Sequence, residues 1–198
     1  IYHLTSTCNF VEQQLKDDLI IRQVEKSVDL LANVVNSFGT IWLCGSSSGL
    51  STALYVNYKL STTISRFERP TRSLVLGLNP ILSSTADNKG NLVETLAEEL
   101  FIQGRKNDIL WCFCPDVESK LVLNALIAAY KIKIPTIVFT TYPGAPLIKF
   151  ATLKILIQSF KESDHAGYCT DQAHFFLASI ICNHLKRISR RIQLNTND

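Results

Sequence analysis

Ile41-Trp42-Leu43-Cys44-Gly45-Ser46-Ser47-Ser48-Gly49, running into Leu50-Ser51-Thr52-Ala53-Leu54-Tyr55, is the stretch whose reading decides the fold. An apolar, β-type run ends at a glycine, small hydroxyl residues follow, and a helical pattern begins. A strand-to-helix junction of this kind aims backbone N–H groups and hydroxyls at one point, where the helix dipole also favours an anion. A second junction has the same shape. Ile109-Leu110-Trp111-Cys112-Phe113-Cys114-Pro115-Asp116-Val117-Glu118-Ser119 runs into Leu121-Val122-Leu123-Asn124-Ala125-Leu126. There Pro115 lacks an N–H, and Asp116 and Glu118 bring negative charge. Carboxylates suit a helix N-terminus but repel a phosphate. A doubly charged phosphate ~4 Å from one of them meets a repulsion of roughly 8 kcal/mol at an effective dielectric near 20.

The same alternation continues along the chain. Strands are predicted at Thr40–Cys44, Ser73–Leu78, Asp108–Phe113, Thr136–Thr140 and Thr152–Ile157, and helices at Leu50–Ser61, Leu92–Gln103, Lys120–Tyr130 and Asp171–Arg191. Alternating strands and helices imply parallel pairing with crossovers. The strands are nearly continuous apolar runs, as expected when helices cover both faces of a sheet. The predicted fold class is therefore α/β: a three-layer α/β/α sandwich around a five-stranded, mainly parallel sheet. Ahead of it, Phe10 to Phe38 reads as one long amphipathic helix, with Val11, Leu15, Leu19, Val24, Val28, Leu31 and Val35 at helical spacing and Gly39 at its end. Residues 1–198 read as a single domain, with a helix over 10–38 for oligomerisation and an α/β core over 40–191. Pro80 to Asn91 is polar and turn-rich, a loop that carries Ser83 and Ser84. The polar tail after Arg191 is expected to fray.

Bulk properties agree with a well-buried globular chain. Hydrophobic residues make up 46% of the 198 and charged residues 19%, which excludes a disordered class. The net charge of +3 is too small to argue for nucleic acid. No apolar run is long enough to span a bilayer. Ile1-Tyr2-His3-Leu4-Thr5 has no basic region followed by an apolar core, so no signal peptide is expected. Cys8, Cys44, Cys112, Cys114, Cys169 and Cys182 show no zinc-knuckle spacing, and they read as reduced core thiols of a cytoplasmic protein. Cys112 and Cys114 should share one strand face. No metal or cofactor is expected.

Four segments carry a family resemblance over nearly the whole chain. Cys44-Gly45 with the small residues after it looks like a strand and Gly-Asn-Gly-Gly-Ser loop. Arg66-Phe67-Glu68-Arg69-Pro70 resembles an Arg-Phe…Arg-Pro segment, and Asn107-Asp108-Ile109-Leu110 a Gly-Asp-Val-Leu strand opening. Asp171-Gln172-Ala173-His174 resembles an Ile-Gln-Glu-x-His helix entry. In order and spacing these are similar to the sugar isomerase (SIS) domain, specifically the phosphoheptose isomerase group, which also includes the initiator-associating protein that binds the replication initiator DnaA. The resemblance implies a homo-oligomer, most readily a tetramer, whose N- and C-terminal helices pack between subunits.

The chemistry departs from that family. Its isomerases interconvert an aldose and a ketose phosphate with a glutamate and a histidine as acid and base. The resemblance places the family's first-helix histidine and glutamate at Tyr55 and Lys59, and the last-helix histidine at Ser179. Its phosphate loop becomes Cys114 to Ser119, of which only Ser119 is kept, and the aspartate after the second strand becomes Asn79. No catalytic residue is therefore assigned. The implied function is a catalytically degenerate module with a carbohydrate-derivative binding fold, acting by binding or regulation, with a possible protein partner and weak or no sugar-phosphate binding. The alternative is an active phosphosugar isomerase, on sedoheptulose 7-phosphate or a related compound, with proton transfer relocated to Lys59, His165 or His174.

The candidate ligand residues are Ser46, Ser47, Ser48, Ser83, Ser84 and Ser119, forming a degenerate sugar-phosphate cleft. The three consecutive serines equally suit a solvated turn that caps the next helix. Asp171 reads as the cap of the last helix and His174 as a packed residue on its apolar face, or both as remnants of a sugar site. Lys186, Arg187, Arg190 and Arg191 complement a helix dipole on a solvated surface, or meet an acidic partner or DNA.

Overall fold

The structure, a computed structural model, describes residues 2–63, 71–79, 92–115, 119–141, 146–157 and 166–194. Two helices come first, α1 (Tyr2–Leu15) and α2 (Asp18–Asn36). They are followed by β1 (Thr40–Gly45), α3 (Gly49–Thr63), β2 (Arg72–Val75), a 3₁₀ turn at Leu92–Glu94, and α4 (Thr95–Gln103). Then come β3 (Ile109–Phe113), α5 (Lys120–Lys131), β4 (Thr136–Thr140), a 3₁₀ turn at Pro146–Phe150, β5 (Leu153–Leu156) and α6 (Ala166–Leu194). The five strands form one sheet in the order β2-β1-β3-β4-β5, and every neighbouring pair is parallel.

Strand residues alternate between two cores. Ile41, Leu43, Trp111, Phe113, Ile137 and Phe139 face one side, where they pack with side chains of α1, α2, α3 and α6. Trp42, Cys44, Leu110, Cys112 and Val138 face the other, beneath α4 and α5. Trp111, Phe113 and Phe139 form a ring cluster, with centroids 5.1 to 5.9 Å apart, across β3 and β4. The three layers and the sheet are those expected from the sequence, and the sheet is wholly rather than mainly parallel.

Several boundaries move. The single helix expected over Phe10–Phe38 is two helices. Asp17 is extended, and its carboxylate accepts from the N–H groups of Leu19 at 2.8 Å and Ile20 at 3.4 Å, so it caps a new helix. The break turns the buried face: Ile20, Val28, Leu31, Val34 and Val35 point inward, while Leu19 is 61% exposed. Apolar periodicity ran on across the junction and hid it. The second strand stops at Val75 rather than Leu78, because Gly77 turns the chain at φ +82° and donates its N–H to buried Glu99 at 2.7 Å. The final helix begins at Ala166, so Asp171 lies in its second turn and is not its cap. Helix α4 is preceded by a separate 3₁₀ turn, and β5 is shorter at both ends than expected. The expected loop at Pro80 to Asn91, the Arg66–Pro70 segment, Asp116, Glu118 and the last residues of the tail lie outside the described residues.

One carboxylate ties the start of the sheet together. Asp108 is 3% exposed and accepts three N–H groups: the Thr40 amide at 2.8 Å, the Trp42 indole at 2.9 Å and the Arg105 amide at 2.8 Å. It thereby joins β1, β3 and the turn that leaves α4. Beside it, Gly39 is required by close approach, since a Cβ there would collide with the Asn107 carbonyl. Replacing Asp108 with alanine leaves three donors without their acceptor, and each unpaired buried group costs about 1–3 kcal/mol. We expect Asp108→Ala to lower the unfolding free energy by about 3–5 kcal/mol and Asp108→Asn by clearly less, measured by urea denaturation.

Candidate functional site

The C-terminal ends of β1 and β3 bring the two junctions side by side, in register Cys44↔Cys112 and Gly45↔Phe113. Ligands of open α/β sheets bind beyond these ends. The Ser46 amide donates to the Phe113 carbonyl at 3.1 Å, pinning the first loop against the second. Gly49 packs directly on that carbonyl, where a Cβ would collide. Ser47 takes a left-handed conformation at φ +50°, and the loop closes as a tight turn through Gly49, Leu50 and Ser51 N–H to the carbonyls of Ser46, Ser47 and Ser48.

This geometry divides the three serines. Ser46 is buried, and its hydroxyl meets the Cys114 thiol at 3.3 Å beneath the loop. Ser47 is exposed and Ser48 half-buried, and their amides and hydroxyls have no hydrogen-bond partner among the described residues. The donors left to a ligand at this loop are thus those of Ser47 and Ser48. Ser119 caps α5, its hydroxyl oxygen accepting the Val122 N–H at 3.4 Å, which leaves its own hydrogen to donate. Ser83 and Ser84 lie outside the described residues.

Beneath the loop, Cys44, Cys112 and Cys114 are fully buried on one sheet face, as the alternation required. The Cys44 and Cys112 sulfurs are 3.3 Å apart as free thiols. Burial, reinforced by Cys44, pushes the Cys112 thiol well above its ordinary range, so it is a packing group rather than a nucleophile. Cys8, by contrast, is exposed on α1 and is not the core thiol expected. Among the described residues no three His, Cys, Asp or Glu side chains converge to hold a metal ion.

The positions that the resemblance paired do meet in space. The Tyr55 hydroxyl on α3 and the Ser179 hydroxyl on α6 are 3.2 Å apart, and the Tyr55 ring lies 4.1 Å from that of Phe175. Lys59, one turn further along α3, also approaches α6. Burial pushes the nearby Cys182 thiol up to about 12, and the Lys59 ammonium pulls it the other way. Tyr55 and Ser179 lie 124 residues apart along the chain, and the resemblance rather than any local pattern paired them.

His174 packs as its apolar-face reading expected. It is 1% exposed, edge-on to Phe139 at 5.5 Å, and neither ring nitrogen has a hydrogen-bond partner. Burial lowers its pKa to about 3. The nearby Thr140 backbone favours the charged ring but does not reach hydrogen-bond geometry, so burial wins. His174 is therefore neutral in the folded protein at any ordinary pH. Below 6.5 the unfolded chain takes up a proton that the folded ring refuses until about 3. This group's contribution to stability is thus complete above pH 6.5 and is lost as pH falls toward 3, by about 1.4 kcal/mol per unit. Between pH 7 and 5, wild type should lose about 2 kcal/mol more unfolding free energy than His174→Phe. Parallel urea-midpoint curves for the two proteins would show that the ring titrates normally.

No family model matches the chain. It is 25% identical over 157 residues to a phosphoheptose isomerase of Glaesserella parasuis, covering 77% of this chain and 81% of that one. Its fold superposes on a phosphoheptose isomerase of Neisseria gonorrhoeae with a TM-score of 0.81 at 13% identity, over 94% and 96% of the two chains. It also superposes on the NanR protein of Vibrio vulnificus, solved in complex with ManNAc-6P, with a TM-score of 0.67 at 14% identity over 98% of this chain and 66% of the other. The resemblance to the sugar isomerase domain therefore holds in sequence and in fold, with the chain standing as a divergent relative of the phosphoheptose isomerases.

Proposed function

We propose that this protein is a non-catalytic relative of the phosphosugar isomerases that acts as a binding or regulatory module. The observation that carries the reading is the Tyr55–Ser179 contact. Aldose–ketose interconversion needs a base to take a proton from carbon and an acid to return it to the neighbouring position. Two hydroxyls facing one another make a hydrogen-bonded couple, not an acid/base couple. Among the described residues, neither has a carboxylate or an imidazole as hydrogen-bond partner. His174, one of the groups that could have replaced them, is enclosed and unable to gain a proton at neutral pH. A fold of this type in a ManNAc-6P complex of NanR supports binding as a use of the architecture.

The ligand of such a module is a sugar derivative at the Ser47–Ser48 loop. A phosphate there meets few donors, and Asp116 and Glu118 in the second junction add repulsion. Neutral or amino sugars are less disfavoured than sugar phosphates. Assembly follows from the helical layer. Leu19 and Ile21 on α2 and Phe175 and Phe176 on α6 are exposed, and a cavity of about 340 Å³ runs between these helices past Ile20, Val24, Leu177 and Ile180. Covering that face by a two-fold contact gives a dimer, and pairing of two dimers about a further two-fold axis gives the homotetramer that the family resemblance implies. No described helix is long and apolar enough to cross a membrane.

In a coupled assay with sedoheptulose 7-phosphate, the purified protein should give no turnover above background, with an active phosphoheptose isomerase as control. Turnover near the control's rate would establish the alternative, an isomerase with proton transfer relocated to Lys59 or to a histidine (His165 or His174). Light scattering at micromolar concentration should give four times the 22.2 kDa chain mass, and a monomer would refute the assembly.

A further inference from the structure

Another cavity lies at the opposite end of the sheet from the Ser47–Ser48 loop, where β1, β2 and β3 begin. It encloses about 570 Å³ between β2 and the turn that follows α4, within the size range of small-molecule sites. Trp42 and Leu74, neighbours in the β1–β2 register, give it an apolar floor, and Leu74 is 49% exposed there. Arg72 and Arg105 stand in its wall. Arg105 is held in place, its Nη1 donating to the carbonyls of Ile102 at 3.2 Å and Gly104 at 3.0 Å, which leaves its other N–H groups free. Arg72 has no hydrogen-bond or ion-pair partner among the described residues. The Thr71 hydroxyl beside it is buried and also lacks a partner.

The charge of this cavity is unbalanced. Among the described residues its one carboxylate is Asp108, which is already enclosed by three N–H donors from the protein and has no hydrogen bond to either guanidinium side chain. The lining then offers two guanidinium groups and the Thr71 hydroxyl beside neutral polar side chains such as Gln103, around an apolar floor. Guanidinium forks match the planar or tetrahedral oxygens of carboxylate and phosphate. We propose that this cavity binds a small organic anion, with its carboxylate or phosphate between Arg72 and Arg105 and its apolar body on Trp42 and Leu74. The site is separate from the Ser47–Ser48 loop, at the other ends of the same strands.

The chain's two tryptophans make the test direct, because Trp42 lines this cavity and Trp111 lies in the opposite core. Phenyl phosphate and benzoate are titrated into ¹⁵N-labelled protein, with benzyl alcohol as the uncharged control, while the two indole N–H resonances are followed and calorimetry gives the affinity. The Trp42 signal should shift saturably with one or both anions, the Trp111 signal should stay in place, and benzyl alcohol should move neither. Comparing the two anions distinguishes phosphate from carboxylate selectivity. Arg72→Gln should weaken binding by about tenfold or more, and Arg72→Lys by less. A Ser47→Ala, Ser48→Ala variant should bind as wild type does. No Trp42 shift with either anion, an equal shift with benzyl alcohol, or unchanged affinity in Arg72→Gln overturns the proposal. Loss of binding in the serine variant also overturns it, by moving the anion to the other end of the sheet.

Discussion

A single buried carboxylate sets the frame on which the rest of the molecule hangs. Among the described residues Asp108 has no ion-pair partner, and three N–H groups from separate segments satisfy it. A buried charge of this kind is tolerable only when its hydrogen bonds are complete. Completing them forces β1 to start beside β3 and holds the Arg105 turn at the same level. With the starts aligned, the parallel register Ile41↔Ile109 through Gly45↔Phe113 carries both strands to a common end. The loop that follows β1 can then close on the Phe113 carbonyl. A contact at the base of the sheet thus determines the geometry of the cleft at its top.

At that top, small residues decide what is available. Gly49 lets the loop lie against β3, and Cys114 draws the Ser46 hydroxyl inward. Two serines remain outward-facing. Where an isomerase needs a proton donor and acceptor, α3 and α6 bring together a phenol and an aliphatic hydroxyl. The two helices approach closely there, and the two hydroxyls are 3.2 Å apart. The Tyr55 ring lies against Phe175 with centroids 4.1 Å apart, so the two helices are held together at this point by packing as well as by the hydroxyl contact.

The two ends of the sheet are electrostatically unlike. The upper loop offers neutral donors. The lower cavity carries two guanidinium groups around a carboxylate that is already saturated. In a chain whose net charge is only +3, local charge rather than the total sets the field at each end.

The α/β class, the five strands and the two strand–helix junctions were legible in the sequence because each rests on local pattern: continuous apolar runs, glycines after them, and helical periodicity in between. Cys112 and Cys114 on one face follow from the two-residue repeat of a strand. The family resemblance came from ordered short motifs and needed no contacts. Other features were decided only in three dimensions. The helix break at Asp17 was masked because the apolar stripe continued in sequence while the face it defined rotated. Ser46 could not be told from Ser47 and Ser48, since the thiol that claims it lies 68 residues away. The triple bonding of Asp108 likewise joins segments distant in sequence. Local pattern determines which elements form and which faces they bury; which polar groups meet depends on how those faces come together, and no local pattern records that.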